Sequence, residues 1–389
     1  MWHEVLRWFL LLVALAPFGY YVLAIMAARQ FFRRPIPSSE NFHPPVSILK
    51  PVRGLDREAY ENYVSFCRQE YPEFEIIFGV TEEDDPVLPV IRQLTKDFPH
   101  CQIRTLVGAE PLGTGDKVNK LCRMVREAKY DILIISDSDI RVAPGYIHAV
   151  VAPFSDAKVG AVTCLYRGIS DGSLASDIEA LGNTSDFDAG VLSAWKLGGV
   201  GGVDFALGAT MATTKKHLAE IGGFEPLVDH FSDDYELGNR ISKLGYRVEL
   251  TTFPVFTVFP KQTLYQCFRH QVRWLLTMKH SQPWGHFSLI FTYGLPWAIL
   301  AALIAPSWAI AAFYLGGYVA LRAAMAWTVG VWGVGDPLLR RKIWLVPFRD
   351  AFAFAVWLAS FVTRRIEWRG VEYYIRDKRL VPAEPAGRG

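Results

Sequence analysis

Cysteine is scarce in this chain and follows no recognisable pattern. The 389 residues include five cysteines, of which no two form a CxxC motif and none has a histidine at metal-ligand spacing. An odd number of scattered cysteines is typical of reduced thiols rather than of a disulfide framework. The nine histidines include no HExxH motif. The sequence therefore gives no support to the zinc-ribbon, zinc-protease and disulfide-scaffold classes.

The chain also has a small net charge and a low fraction of charged residues. Lys and Arg number 41 against 39 Asp and Glu, a net charge of +2, which gives no reason to expect nucleic acid as a partner. Charged residues make up 21% of the chain and apolar residues 51%. A soluble domain usually has about 25% charged residues, so part of the chain is expected in an apolar environment.

The apolar residues concentrate at the two ends. An uncharged run, Trp8–Ala28, is long enough to span one hydrocarbon core and is followed at once by Arg29, Arg33 and Arg34. The run is too long for the core of a signal peptide, so a membrane anchor is expected. Because positive charge marks the cytoplasmic end of a span, the following chain is predicted to enter the cytoplasm.

Three more apolar segments follow Pro283. Phe287–Ile304 and Trp308–Val329 are predicted to span the membrane, and Ile343–Val362 is a third candidate that contains Arg349 and Asp350. These two charges, and the basic residues after the segment, favour an interfacial or re-entrant helix with the tail inside the cell. An intramembrane Arg349–Asp350 pair that faces other helices is the alternative. The basic residues are Arg364, Arg365, Arg369, Arg376, Lys378 and Arg379.

The composition predicts five regions. They are an anchor at 1–34, a Pro/Ser linker at 35–45, a globular domain at 46–282 that is expected in the cytoplasm, a C-terminal membrane region at 283–362 and a basic cytoplasmic tail at 363–389. Within the third region, β-rich runs are Val46–Leu49, Glu75–Val80, Ile132–Ser136, Val159–Cys164 and Arg247–Leu250. Amphipathic helical stretches such as Arg57–Gln69 and Lys117–Ala128 separate the early runs, which predicts an α/β fold with parallel strands.

Two carboxylates follow the apolar run Ile132–Ser136, at Asp137 and Asp139. Residues i and i+2 of a strand point to the same side, and ligands of α/β folds bind at the carboxyl ends of strands. Such a pair can hold Mg²⁺ or Mn²⁺, which neutralises a diphosphate. The alternative is an acidic turn after a buried strand.

A second acidic pair, Asp233 and Asp234, precedes a helical stretch. Either carboxylate could act as the general base for an acceptor hydroxyl. The alternative is that Asp233 or Ser232 only caps the helix.

Gln271, Arg273 and Trp274 form the third signal. The arginine can clamp a leaving diphosphate and the tryptophan can wall an acceptor site. The alternative is an interfacial Arg and Trp before a membrane span.

A run of acids after the strand Glu75–Val80 is the weakest signal. Glu82, Asp84 or Asp85 could accept hydrogen bonds from a nucleobase or ribose, although a solvated acidic loop is the alternative. The stretch Leu197–Gly202 is not a GxGxxG fingerprint and is predicted to be a flexible loop near an acceptor.

The order of these motifs resembles the GT-A-fold glycosyltransferases, and most closely the ceramide glucosyltransferase-like family, whose bacterial branch includes hopanoid-associated enzymes. The resemblance covers about residues 8 to 380. Seven ordered segments carry it, namely 50–56, 75–86, 116–119, 136–141, 208–211, 233–235 and 271–274. One departure is that Glu82 stands where the family usually has an aspartate.

The resemblance implies roles for individual residues. Asp234 would be the catalytic base, and Asp137 and Asp139 would hold the metal ion. Gly208, Asp233 and Trp274 would lie on the acceptor side. The donor nucleotide would be bound by Glu82, Asp84, Asp85, Lys117, Asp137, Gln271 and Arg273.

The implied reaction is an inverting transfer of a hexose from a UDP-sugar to a lipid hydroxyl, which gives a β-glycolipid. Glucose, galactose and N-acetylglucosamine fit, with glucose the expected sugar, and a ceramide-type or hopanoid-type lipid is the expected acceptor. The resemblance also implies an integral protein of the inner (cytoplasmic) membrane with its catalytic domain in the cytoplasm. A processive polysaccharide synthase is the alternative, but such enzymes need more spans. A non-enzymatic receptor would not need the ordered carboxylates.

Overall fold

The chain folds into two compact units, which are described separately below. The computed structural model describes residues 1–35, 42–198, 202–363, 365–368, 371–376 and 379–382. The helical unit comprises Met1–Arg34, Ser170–Leu197 and Lys261–Thr363. The sheet unit comprises Pro35–Ile169, Gly198–Pro260 and Arg364–Gly389.

Eight strands of the sheet unit form one sheet with the order β3-β2-β1-β4-β7-β6-β8-β5. Strands β1, β2, β3 and β4 run parallel, as do β6 and β8, whereas β7 and β5 are antiparallel to their neighbours. The strands are β1 Val46–Pro51, β2 Phe74–Val80, β3 Gln102–Val107, β4 Ile132–Ile135, β5 Ile140–Arg141, β6 Val159–Ile169, β7 Met211–Thr214 and β8 Arg247–Val258.

A second sheet in the same unit has three antiparallel strands, β9 Arg365–Trp368, β10 Val371–Arg376 and β11 Arg379–Pro382. It lies within the predicted basic tail, 363–389. A backbone bridge joins Arg379 to His230, within the sheet unit.

Sixteen α-helices are described. They are α1 Trp2–Val13, α2 Ala16–Phe32, α3 Ala59–Cys67, α4 Val87–Asp97, α5 Asp116–Glu127, α6 Tyr146–Val151, α7 Leu174–Gly182, α8 Asp188–Leu197, α9 Lys215–Glu220, α10 Asp233–Lys243, α11 Leu264–Ser281, α12 Pro283–Ser288, α13 Gly294–Ile304, α14 Trp308–Ala326, α15 Pro337–Lys342 and α16 Val346–Val362. Short 3₁₀ turns occupy Ala152–Ser155, Glu225–Leu227, Leu289–Phe291 and Ile343–Leu345.

The centre of the large sheet is buried on both faces. All six residues of β1 are buried, and helices α3, α4 and α6 contribute apolar side chains to the core around Ile48, Ile76 and Ile134. Parallel strands covered on both sides are typically continuous apolar runs, which is why β1, β2 and β4 are visible in the sequence. The predicted α/β fold with a mostly parallel central sheet is confirmed.

The carboxyl ends of β2, β1 and β4 lie side by side because β1 pairs in parallel with both neighbours. The segments that follow these three strands therefore meet at one edge of the sheet. This arrangement positions the candidate active site.

Three helices of the helical unit are long and apolar enough to cross a membrane: Trp2–Phe32, Trp308–Gly333 and Pro337–Val362. A further pair, Pro283–Phe291 and Gly294–Ile304, passes the same test together but bends by 44°. The predicted span Phe287–Ile304 is thus broken at its start. Helices α7 and α8 also belong to this unit, where the Trp195 ring packs 5.2 Å from Phe31 of α2.

The unit boundaries differ from the predicted catalytic domain 46–282, because residues 170–197 and 261–282 group with the helical unit. Apolar packing against α2 accounts for the first segment. Residues 36–41 of the predicted linker and 199–201 of the predicted loop lie outside the described residues, as do residues 364, 369–370, 377–378 and 383–389 of the predicted tail.

The helical unit also contains two π-helices, Asn183–Phe187 and Trp327–Gly333. The first follows α7 directly and leads into α8 with no intervening residue. Such wider turns are uncommon and often occur at functional sites.

Candidate active site

Asp137 and Asp139 follow β4 at the edge where three strands end. The strand stops at Ile135, and the chain then turns, with the Ile140 amide donating to the Asp137 carbonyl at 3.3 Å. A turn, rather than the alternation of side chains along a strand, therefore brings the two carboxylates close. Burial and the nearby carboxylates of Asp137 and Asp56 raise the pKa of Asp139 to about 7.

Lys117, in the first turn of α5, connects the two acidic motifs of the sheet unit. Its Nζ lies 2.9 Å from Asp137 Oδ1 and 3.1 Å from Asp233 Oδ2. Burial alone would lower the pKa of this ammonium group, but the carboxylates of Asp137, Asp233 and Asp234 raise it above its usual range. Lys117 therefore stays charged and holds the two acidic segments together.

Asp234 lies in the first turn of α10, where its carboxylate is held by backbone amides. Its Oδ2 accepts a hydrogen bond from Gly208 N at 3.0 Å, and its Oδ1 accepts one from Tyr235 N at 2.8 Å. Burial and the neighbouring Asp233 carboxylate raise the pKa of Asp234 to about 6, against the opposing effect of Lys117. The side chain of Ser232, the residue before the helix, accepts no capping hydrogen bond from the first turn, and Asp233 begins the helix itself.

Gly208 lies between two of the site carboxylates. A Cβ atom at this position would lie 3.2 Å from Asp234 Oδ2 and 3.4 Å from Asp137 Oδ2. The absence of a side chain thus lets Asp137 and Asp234 face the same space. The structure brings Asp137, Lys117, Asp233, Asp234 and Gly208 together in the sheet unit, as the sequence predicts for one site.

The donor set is suited to a hard divalent cation. Carboxylate oxygens are the ligands that Mg²⁺ and Mn²⁺ prefer, and a cation beside Asp139 would offset the charge repulsion that raises the pKa of this residue. Across the described part of the chain, no three or more His, Cys, Asp or Glu side chains form a complete metal site. Asp137 and Asp139 fit a cation whose other ligands come from outside the protein.

The acidic residues of the loop after β2 differ in their burial and in their hydrogen-bond partners. The Asp85 carboxylate is 4% exposed and accepts hydrogen bonds from Gly54 N at 2.9 Å and from Val87 N at 2.9 Å. Asp84 is exposed, and Glu82 pairs with Arg53 at 3.2 Å on the surface. Asp85 thus stabilises the loops after β1 and β2, which leaves Glu82 and Asp84 as the better candidates for a nucleobase or ribose contact.

Gln271, Arg273 and Trp274 lie on α11 of the helical unit. Gln271 is buried and its Oε1 accepts a hydrogen bond from Arg349 Nη1, whereas Arg273 and Trp274 are partly exposed. The Trp274 ring lies 4.8 Å from that of His270, whose Nδ1 is 2.5 Å from the buried carboxylate of Glu179. Helix α11 begins with a capping box in which Thr263 and Gln266 exchange hydrogen bonds.

The family model of glycosyl transferase family 21 matches residues 9–381. The chain belongs to this family. The predicted resemblance to the ceramide glucosyltransferase-like glycosyltransferases is therefore confirmed.

Curated relatives of this family 21 member include ceramide glucosyltransferases. Ceramide glucosyltransferase 1 of Caenorhabditis elegans is 27% identical over 81% of this chain and 66% of its own length. The ceramide glucosyltransferase of Komagataella phaffii is 32% identical over 36% of this chain and 27% of its own length. The chain thus spans less than two thirds of the length of either relative.

A solved structure supports the fold of the family 21 chain. The mannosyltransferase PcManGT of Pyrobaculum calidifontis, in complex with GDP-Man and Mn²⁺, superposes with a TM-score of 0.53 at 18% identity. The match covers 90% of this chain and 99% of that one. The GT-A fold expected from the sequence is confirmed.

One residue that the sequence analysis did not assign to the site is Lys50 of β1. It is fully buried, its Nζ donates to the Asp137 carbonyl at 2.8 Å and to Ser136 Oγ at 3.3 Å, and it lies 3.9 Å from the Phe66 ring centroid. Burial lowers its pKa to about 7. A lysine inside an otherwise apolar strand was the available signal, since such a residue needs a buried partner.

Proposed function

We propose that this family 21 member is an inverting glycosyltransferase that moves a hexose from a UDP-sugar to the hydroxyl group of a membrane lipid. Glucose is the proposed sugar, and a ceramide-type or hopanoid-type alcohol is the proposed acceptor. The product is a β-glycolipid.

The observation that carries this proposal is the fixed orientation and raised pKa of the Asp234 carboxylate. Two backbone amides fix its carboxylate, and its pKa of about 6 suits a group that accepts a proton near neutral pH. The space in front of Gly208 is lined by this carboxylate and by Asp137. A general base beside an acidic pair that suits a cation is the minimum set for transfer from a nucleotide sugar.

The reaction is a single displacement at the anomeric carbon. The lipid oxygen forms a bond to this carbon while the bond to the diphosphate oxygen of UDP breaks, and the electron pair leaves with UDP. Asp234 accepts the proton of the attacking hydroxyl. Attack on the face opposite the leaving group inverts the configuration from α to β.

The donor side is assigned to residues around Asp137. Asp137 and Asp139 would hold Mg²⁺ or Mn²⁺, which supplies positive charge to the diphosphate. Lys117 keeps Asp137 and Asp233 in place. We assign Gln271 and Arg273 to donor binding, Glu82 or Asp84 to the nucleobase or ribose, and Gly208, Asp233 and Trp274 to the acceptor side.

The lipid acceptor is supported by two observations. Three helices are long and apolar enough to cross a membrane, and the curated relatives are named ceramide glucosyltransferases. An enzyme anchored in the bilayer meets its acceptor by diffusion in two dimensions. We propose the inner, or cytoplasmic, membrane as its location, with the sheet unit in the cytoplasm.

The test is product identification. Purified protein in lipid nanodiscs is incubated with Mn²⁺, a panel of labelled UDP-hexoses, and ceramide, a hopanoid alcohol or diacylglycerol, and each product is identified by mass spectrometry and NMR. We expect one β-linked sugar per lipid, and a rate of product formation about 10² to 10⁴ lower from the Asp234→Asn variant. A polymer would identify a polysaccharide synthase, and absence of any transfer by the wild type would contradict the proposal.

A further inference from the structure

The interior of the helical unit contains a connected set of charged side chains. Arg322 of α14 pairs with Asp350 of α16 at 2.7 Å and also contacts Asp186 of the π-helix. Tyr318 donates to Asp350 at 2.8 Å. The Arg349 side chain, 8% exposed, donates from Nε to Asp186 Oδ2 at 2.8 Å. Two positive and two negative side chains thus balance, and Arg349 and Asp350, the proposed ion pair of the sequence alternative, each bind a different partner, Asp186 and Arg322.

Arg349 extends this network to the Gln271-Arg273-Trp274 motif. Its Nη1 donates to Oε1 of Gln271, a residue that is 7% exposed. A guanidinium group has five N–H donors and no acceptor, so it can bond only to the carbonyl oxygen of a glutamine side chain. The contact therefore fixes which end of the Gln271 amide faces Arg349, and it turns the Nε2 amino group elsewhere.

A glycine in α7 provides independent evidence that this position of the Arg349 guanidinium group is specific. A Cβ atom on Gly182 would lie 2.5 Å from Arg349 Cζ and 2.6 Å from its Nε. Real Cβ atoms do not approach other atoms so closely, so the guanidinium group occupies space that only a glycine leaves open. Gly182 ends α7 and Asp186 lies in the π-helix that follows, so one short segment provides both the space and the counter-charge.

We propose that Arg349 is a positioning residue that orients the side-chain amide of Gln271, so that Gln271 presents its N–H₂ group as a hydrogen-bond donor to the nucleotide-sugar donor. This rests on the proposed function, in which Gln271 belongs to the donor site. The ligand atom that accepts from Gln271 is then an oxygen, as in a diphosphate or a sugar hydroxyl. Arg349 acts through Gln271 and touches no substrate.

The test compares four variants by the dissociation constants of UDP and UDP-glucose, measured calorimetrically in nanodiscs with Mn²⁺. Gln271→Glu keeps an oxygen for Arg349 but removes the N–H₂ group, and Arg349→Met removes the contact but keeps the amide. Gly182→Ala adds one methyl group in the space of the guanidinium group and changes no charge. Each should weaken binding about tenfold or more, the range for a hydrogen bond to a charged group. Arg341→Met, an exposed arginine whose Nε donates to a backbone carbonyl, is the matched control and should bind as the wild type does.

A double-mutant cycle separates positioning from a structural role. If Arg349 acts through Gln271, adding Gln271→Ala to Arg349→Met weakens binding by less than about twofold, because the oriented contact is already lost. If the two effects multiply, or if Arg349→Met and Gly182→Ala bind donor as the wild type does, the inference is overturned. Gly316→Ala, where an added Cβ meets nothing within 4 Å, controls for the glycine substitution.

The experiment distinguishes a failure of the proposed function from a failure of the inference about Arg349. A wild type that binds UDP-glucose but transfers no sugar contradicts the proposed function, while the binding comparison still decides the role of Arg349. A wild type that binds no nucleotide overturns both.

Discussion

At the scale of single residues, Asp234 differs from an ordinary surface carboxylate in two ways. Backbone amides fix its orientation, and burial beside Asp233 raises its pKa. A substitution that keeps the shape but removes the basicity is the direct test of its role.

Asp234→Asn should lower kcat by about 10² to 10⁴, the usual contribution of a general base. Binding of UDP-glucose should stay within a few-fold of the wild type, because Asp137 and Lys117 are unchanged. Single-turnover kinetics and calorimetry measure the two quantities. If binding is lost instead, Asp234 is a donor ligand and Asp233 becomes the next candidate for the base.

The pH dependence should show the raised pKa of Asp234. Only the carboxylate accepts a proton, so kcat/KM should be constant above pH 6 and should fall tenfold per unit as the pH decreases below about 6. A pH–rate profile with one substrate pair measures this. A decrease that begins only near pH 4, as for an unperturbed aspartate, would exclude Asp234 as the essential base.

Metal removal is the third prediction at this scale. Because two carboxylates leave most of the coordination shell to water and diphosphate oxygens, Mg²⁺ or Mn²⁺ should bind weakly without donor and activity should stop in excess chelator. Restoring Mn²⁺ should restore activity to the wild type but not to the Asp139→Asn variant. Full activity in excess chelator would show that Asp137 and Asp139 need no metal.

At the scale of elements, the loops after β1 and β2 depend on Asp85. Asp85→Ala leaves the amides of Gly54 and Val87 without this partner, which should cost about 1–3 kcal/mol of unfolding free energy. Thermal unfolding of the purified protein measures the loss, and Asp84→Ala, at an exposed position, should change it little. An unchanged Asp85→Ala midpoint combined with weaker UDP binding would instead assign Asp85 to the nucleobase.

The sequence predicts some elements better than others. Strands β1, β2 and β4 were predicted within two residues because buried parallel strands are apolar throughout. Strand β3, at the edge of the sheet, contains polar residues and was not predicted, nor was β7, which has only four residues. Neither has enough apolar periodicity to be distinguished from a loop.

The residues of the candidate site likewise include some that could be predicted from the sequence and some that could not. Asp137, Asp139 and Asp234 were identifiable because acids next to apolar segments are conspicuous in a sequence. Lys50 and Arg349 were not assigned, because their partners lie 87 and 78 positions away and only the folded chain brings them together. Sequence spacing carries no information about such contacts.

At the scale of the whole molecule, contacts within the helical unit indicate which helix ends lie at the same depth. Leu11 of α1 and Ala14, in the turn between α1 and α2, cluster with Ala301 and Tyr314 near the turn between α13 and α14. At the opposite ends, the Phe32 ring lies 6.1 Å from that of Trp332. Helix α14 therefore runs in the same direction as α1 and α2.

Both ends of α16 contact segments that the predicted topology places on the cytoplasmic side. Lys342, just before the helix, pairs with Asp177 of α7, and Ser360, near its end, bonds to His286 and to Lys279 of α11. The strands after α16 belong to the sheet unit. These contacts favour the prediction that α16 returns to the side on which it began.

Cysteine labelling with an impermeant reagent in intact cells tests this topology. Ser307→Cys, between α13 and α14, should be labelled from outside, whereas Arg340→Cys and Arg379→Cys should be labelled only after permeabilisation. The wild type, with its five native cysteines, provides the background. Labelling of Arg379→Cys from outside would mean that α16 crosses the bilayer.

The π-helix Asn183–Phe187 has a consequence for how this protein tolerates changes in length. A π turn holds one residue more than an α turn, so the loss of a single codon here would restore a regular helix. The side chains on the two sides of such a deletion would keep nearly the same relative orientation, because the wide turn accommodates the residue that is lost. A deletion within the regular part of α7 would instead rotate them by about 100°. The protein should therefore tolerate the loss of one residue between Gly182 and Asp186 better than a loss within α7.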